Sequence, residues 1–260
     1  MTSPVQQQEP AHTPHFTRRA VVTGALALAA GSALPLLPAG RAHAAAAGPE
    51  IASCATWGAR PASEPVVVLA NRPERIIVHH TATLNVTDYS QQRAYALARA
   101  IQTYHMDAQG WIDTGQHFTV SRGAFVLEGR HNSLAELRTG TRQVRAAHCI
   151  GQNTVSIGIE NEGTYMTEDP PAVQFAALAD LCAHICRQYG LPASEIYGHR
   201  DFNSTSCPGD RLYALLPTLR KDVATRLGAP LTDPIQDLID KARPHSPTPL
   251  SEYLPAGLLP

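Results

Sequence analysis

The sequence has no surplus of positive charge: 21 Lys and Arg stand against 22 Asp and Glu, a formal net charge of −1. Without a basic field, attachment to nucleic acid or to an acidic membrane by charge alone is excluded. No segment recurs at a fixed period, which excludes solenoid and propeller architectures. Lys and Arg are also missing from positions 1–16. Thr17-Arg18-Arg19 then opens an apolar run from Ala20 to Leu37, broken by Gly31 and Pro35 and followed by Pro38. Those breaks argue against a retained membrane anchor. Ala42-His43-Ala44 supplies the small residues at which a signal peptidase cuts. Paired arginines before an Ala-rich run are the pattern of a bacterial twin-arginine export signal, although Val21 and Val22 stand where an aromatic usually follows. Residues 1–44 are therefore expected to be a removed signal peptide, which makes the mature chain a secreted protein with no stable membrane insertion. Removing Arg18, Arg19, Arg41 and Glu9 with it leaves 18 basic and 21 acidic groups.

The full chain is 43% hydrophobic, enough to bury a core. Arg75–His80 is a β-branched run that predicts a buried strand. Asp88 is expected to cap a helix from Tyr89 to about Met106. Gln116–Ser121 and Phe125–Leu127 predict a hairpin with Gly123 in its turn. Val144–His148 and Ser156–Glu162 predict two more strands. Pro171 opens an apolar-periodic helix through Tyr189, stopped by Gly190 and Pro192. Glu195–Gly198 predicts a short strand, and Pro208 opens a last helical region to about Leu227, interrupted near Pro217. The mixture predicts one α/β domain over 45–228: a mixed, mainly parallel sheet flanked by about three helices, with a cleft on one face. Residues 229–260 are proline-rich and read as a tail.

Three residues form a set with metal-binding chemistry. His79 ends the first strand, His199 follows the short strand, and Cys207 lies eight residues further on. Two neutral imidazoles and a thiolate suit zinc, and three protein ligands leave a fourth tetrahedral position open, the mark of a catalytic site. A helix N-terminus at Pro208 and the metal are both expected to lower the Cys207 pKa. The other four cysteines, in an exported chain, predict two disulfides. Cys182 and Cys186 project in parallel from one helix face, so each is expected to reach elsewhere, one to Cys54 and one to Cys149.

Two segments carrying this set, Ile77-Val78-His79-His80-Thr81-Ala82 and Gly198 through Gly209, resemble the signatures of the N-acetylmuramoyl-L-alanine amidase/peptidoglycan recognition protein family. Gly110-Trp111-Ile112-Asp113-Thr114-Gly115-Gln116-His117-Phe118 resembles that family's G-W-x-D-I-G-Y-H-F stretch, and Asn153 through Glu162 its second core strand. The likeness runs from Trp57 to about Leu216. It implies a monomeric zinc amidase acting on peptidoglycan or muropeptides at the cell wall. The alternative it carries is a catalytically silent peptidoglycan-binding module, but members that only bind typically lack the cysteine ligand. His79, His199 and Cys207 match the zinc ligands, and Thr205 matches a residue that helps hold the developing oxyanion. Gln116 stands where many members have a catalytic tyrosine, and an amide cannot act as a base, so it is expected to contact substrate. Ile157-Gly158-Ile159-Glu160-Asn161-Glu162-Gly163 resembles a strand of muropeptide-recycling amidases whose first glutamate is catalytic, which assigns Glu160 as the base. Period two sets Gly158, Glu160 and Glu162 on one face, toward the cleft. His148 is expected near substrate, either touching it or supporting the metal ligands.

Overall fold

The computed structural model describes residues 48–228. Along it run β1 (Ile51–Ala52), α1 (Cys54–Trp57), β2 (Val68–Leu69), β3 (Arg75–His80), α2 (Gln91–Thr103), β4 (Phe118–Val120), β5 (Val126–Glu128), α3 (Ser133–Thr139), β6 (Gln143–Val144), β7 (Ser156–Asn161), α4 (Ala172–Tyr189), β8 (Ile196–Gly198), α5 (Asp210–Ala214) and α6 (Leu216–Leu227). The expected signal at 1–44 and the tail at 229–260 lie outside the described residues. Among the described residues no helix is long and apolar enough to cross a membrane.

Six strands form one sheet in the order β1-β5-β4-β7-β3-β8. Every neighbouring pair is parallel except the β4–β5 hairpin. Strands β2 and β6 make a separate antiparallel pair. This is the mixed, mainly parallel sheet that the sequence implies. Its central strands are buried on both faces, as β-branched runs between helices must be.

Alternation along those strands sorts their side chains into two layers. Ile76 and Val78 of β3 and Ile157 and Ile159 of β7 pack with Leu178, Leu181 and Ile185 of α4 and Leu219 and Val223 of α6. Trp57, Ala94, Ala98 and Leu127 form a second cluster under α1 and α2. Val126 and Leu127, adjacent on β5, fall in different clusters, so the two clusters occupy opposite faces of the sheet.

Several local expectations give way to tertiary context. Among the described residues there are six α-helices rather than about three. The three of twelve residues or more are those expected from the sequence. Helix α2 is capped by Ser90, whose Oγ accepts from Arg93 N at 3.2 Å, while Asp88 Oδ1 accepts from Ser90 N at 2.9 Å. The expected strand Val144–His148 shrinks to Gln143–Val144, because the chain turns away at Ala146, whose N–H bonds the Asn153 carbonyl at 3.1 Å. In the hairpin turn it is Ala124, at φ 69°, that takes the left-handed conformation. Gly123 is needed for a different reason: a Cβ there would lie 2.1 Å from the Tyr89 carbonyl oxygen.

The expected disulfides are absent. All five cysteines, each among the described residues, are free thiols. Cys54 sits in the cluster under α1 and α2, while Cys182 and Cys186 pack in the opposite one. The sheet separates them. Cys149 is directed elsewhere, its Sγ donating to Asn203 Oδ1 at 3.3 Å.

Candidate metal centre

Three parallel strands end at one edge of the sheet, the place where open α/β sheets bind ligands. In β3 and β7, His79 pairs with Glu160, and Glu160 pairs in turn with Thr119 of β4. On the other side Val78 pairs with Gly198, so His199, the next residue after β8, comes level with His79. The Cys207 segment folds back over this edge, with Cys207 O accepting from Arg200 N at 3.1 Å and His80 N donating to Cys207 Sγ at 3.4 Å. A cleft of about 300 Å³ results, with His79, Gln116, His148, Glu160, His199, Thr205 and Cys207 all on its wall. The expected metal ligands, Glu160, Thr205, Gln116 and His148 are therefore brought to one cavity.

One ligand atom each from His79, His199 and Cys207 lie within 4.8 Å of one another. His79 Nδ1 is 3.6 Å from Cys207 Sγ. Two ligands at zinc–nitrogen and zinc–sulfur bond lengths with a tetrahedral angle between them are about 3.5 Å apart, so the spacing fits that ion. Burial, with the neighbouring His199 and His80 adding to it, holds His79 well below the usual imidazole pKa, and burial also lowers His199. Both are thus neutral, as metal ligands must be. His199 Nε2 lies 3.0 Å from Asn203 Oδ1, an acceptor, so that nitrogen carries the hydrogen and Nδ1 is bare.

In the metal-free cleft, burial pushes the Cys207 thiol up to about 12. Helix α5 begins at Asp210 and has only five residues, so its end gives the sulfur little help. A thiolate here requires a cation. This also argues against Cys207 as a free nucleophile paired with a histidine base.

Glu160 keeps some accessible surface toward the cleft but is otherwise enclosed, and burial pushes its carboxyl up to about 8. Glu162 is a correction. It is buried beyond the end of β7, where Oε1 accepts from Arg93 Nε at 3.0 Å and Oε2 from Arg122 N at 2.9 Å. Strand alternation stops at Asn161, and Glu162 turns to these partners, away from the cleft wall.

Gln116 donates from Nε2 to Thr119 Oγ1 at 2.9 Å, while its buried Oε1 has no partner. Thr205 Oγ1 accepts from Cys207 N at 3.2 Å, a local turn bond that leaves its own hydrogen available. His148 Nδ1 lies 2.9 Å from His79 Nε2, and burial holds its pKa well below the usual value. His117 stays inside the sheet, bonding Val144 O at 2.8 Å and Gly158 N at 3.0 Å. Arg130 is buried between the Thr114 and Arg145 carbonyls.

Sequence reasoning assigned no role to Asn203, Asn161 or Trp111. Asn203 lies within a signature segment and bonds His199, and Asn161 Nδ2 donates to His79 O at 2.9 Å. Trp111 lines the cleft, its ring 4.6 Å from that of His105. Their only signal in sequence is membership of the motifs.

Comparison with known proteins agrees with this geometry. The N-acetylmuramoyl-L-alanine amidase family matches over residues 69–210. The chain is 33% identical over 169 residues to peptidoglycan-recognition protein SC2 of Drosophila melanogaster, covering 64% of this chain and 84% of that protein. It is 33% identical over 173 residues to the N-acetylmuramoyl-L-alanine amidase of Homo sapiens, covering 65% of this chain and 28% of that longer protein. Among solved structures, the ectodomain complex of peptidoglycan recognition proteins LCa and LCx with bound tracheal cytotoxin is similar at a TM-score of 0.56 and 31% identity, over 64% of this chain and 93% of that one. The family match, the relatives and the metal-ligand geometry agree, and this chain belongs to the N-acetylmuramoyl-L-alanine amidase family.

Proposed function

We propose that this chain is a secreted zinc-dependent amidase that hydrolyses the bond between N-acetylmuramic acid and the first L-alanine of peptidoglycan stem peptides. The observation that carries it is the His79, His199 and Cys207 cluster, three ligand atoms within 4.8 Å at the C-terminal edge of the sheet. Family membership supports the substrate class, as do relatives named for recognising peptidoglycan. We take 45–228 as the amidase domain and 1–44 as its export signal.

A zinc ion held by the three residues would supply Lewis acidity and lower the pKa of a water at an open fourth position. The chain's own groups do the rest. Glu160 takes the proton of the attacking water and returns it to the departing alanine amine. Its pKa of about 8 belongs to the metal-free cleft. A cation close by favours the charged form, so the group accepts protons at neutral pH. Thr205 uses its free hydroxyl hydrogen to steady the developing oxyanion. Gln116 Oε1, buried without a partner, accepts from a substrate N–H, and this removes the cost of an orphaned acceptor.

Metal content and turnover of purified peptidoglycan test the proposal together. We expect close to one zinc per chain and release of free N-terminal alanine. Alanine at His79, His199 or Cys207 should remove both. Full turnover in chelated protein would overturn the metal reading. One bound zinc with no alanine released would make the chain a binding module.

A further inference from the structure

The Ser156 hydroxyl has a single hydrogen, and it goes to the Gln152 carbonyl at 2.7 Å. Its oxygen can then only accept from His148 Nε2, 3.3 Å away. A neutral imidazole with its hydrogen on Nε2 has a bare Nδ1. That bare atom lies 2.9 Å from His79 Nε2, so His79 is the donor of the pair. With its hydrogen on Nε2, His79 has a bare Nδ1, and this is the atom 3.6 Å from Cys207 Sγ. The direction of each bond fixes the next, from a serine outside the cleft to the nitrogen that faces the thiol.

The ring that transmits this order is itself held. A Cβ on Gly158 would lie 2.4 Å from His148 Cγ, so β7 carries no side chain where the imidazole rests on it. At the backbone, His148 N donates to Asn153 Oδ1 at 2.8 Å. The His79 and His148 rings meet edge to face, 85° apart in plane with centroids at 5.0 Å.

We propose that His148 is a positioning residue, which by accepting the Nε2 hydrogen of His79 fixes the tautomer and orientation that leave His79 Nδ1 bare for a metal. The inference rests on His79 being a metal ligand and deepens that reading. Outer partners of this kind orient ligands, and losing one typically weakens metal binding roughly 10- to 100-fold.

The test uses the full-length chain and two variants. His148→Phe keeps a ring but has no acceptor. His148→Asn places Oδ1 where Nδ1 stands and keeps the acceptor toward His79. Zinc affinity is read by competition with a chromophoric chelator, and the His79 tautomer by ¹⁵N NMR of the metal-free, histidine-labelled chain. We expect His148→Phe to bind zinc about 10- to 100-fold more weakly. His148→Asn should stay within a few-fold of wild type. The NMR should place the His79 hydrogen on Nε2 in wild type and in His148→Asn, with mixed tautomers in His148→Phe. Equal loss in both variants would mark a packing role and overturn the proposal. So would unchanged zinc affinity in His148→Phe accompanied by a raised KM, the signature of a substrate contact, and so would a wild-type hydrogen on Nδ1. A wild-type chain that takes up no zinc overturns the metal reading and this inference with it. A wild-type chain that takes up zinc while His148→Phe binds it equally well overturns this inference alone.

Discussion

Glu160 and Gln116 both line the cleft, and the proposed reaction gives them different tasks. Thr119 pairs with Glu160 across β4 and β7, and its hydroxyl anchors Gln116. An amide has no accessible protonation in the neutral range, so Gln116 can orient but not carry protons. In the proposed reaction proton transfer then falls to Glu160, the acid on the cleft wall. Glu160→Gln keeps shape and hydrogen-bonding capacity while removing the base. It should leave zinc content and folding intact and lower turnover by roughly 10²–10⁴-fold, the usual range for losing a general base. Zinc content and alanine release are measured together on the variant. A near-wild-type rate would move the base elsewhere.

Two acidic residues on the strands and loops around the cleft serve the scaffold instead. Glu162 differs from Glu160 by one turn of the chain out of β7, and that changes its role. Its two oxygens tie α2, through Arg93, to the loop at Arg122. Glu162→Gln replaces one acceptor oxygen by a donor and leaves one of these partners unsatisfied, at a cost of roughly 1–3 kcal/mol. Thermal unfolding should show that loss, while the amidase activity proposed for the folded chain stays near the wild-type rate. An unchanged melting temperature with lost turnover would return Glu162 to the site. Asp113 is fully buried, and its Oδ2 accepts from both the backbone and the ring of His131 at 2.8 Å. Burial alone would raise its carboxyl, but the hydrogen bonds from His131 and Gln102 outweigh this and hold it below the usual range. The same bond to Asp113 raises His131. The depressed acid contributes stability above its unfolded pKa, about 3.9, and loses it as pH falls through the lower folded value. The raised histidine contributes fully below its unfolded pKa, about 6.5, and loses it as pH rises through the higher folded value. The pair thus supports the loop most between about pH 4 and 6.5. Asp113→Asn should flatten both arms of the stability–pH curve. Parallel curves for variant and wild type would show that the pair is not the cause.

At the scale of the molecule, the sequence was legible wherever one pattern governed a whole segment. Long periodic runs became α2 and α4, the helical region after Pro208 became α5 and α6, and the β-branched run became β3. The motif residues His79, His199, Cys207 and Glu160 met at one edge because parallel strands in register end together. Two-residue strands such as β1 and β2 have no pattern to read, since pairing partners distant in sequence define them. The cysteines failed for a related reason. Their number and the expected compartment predicted bridges, but a bridge depends on which face of the sheet each side chain enters, and count carries no such information. Cys54 lies on one face and Cys182 and Cys186 on the other. Burial also pushes the Cys149 and Cys186 thiols up to about 12 and raises Cys54 and Cys182 as well, so the thiolate that starts oxidation is scarce. Stability therefore rests on two packed apolar clusters, without covalent staples. Alkylation in denaturant without reductant should label five thiols per chain, the full complement of the sequence. Two bridges would leave only Cys207 to react. Adding a reductant before a thermal melt should not move the transition, because no cross-link constrains the unfolded chain. A single labelled thiol, or a melting temperature that falls on reduction, would restore the disulfides and require Cys54 to reach α4 from the opposite face of the sheet.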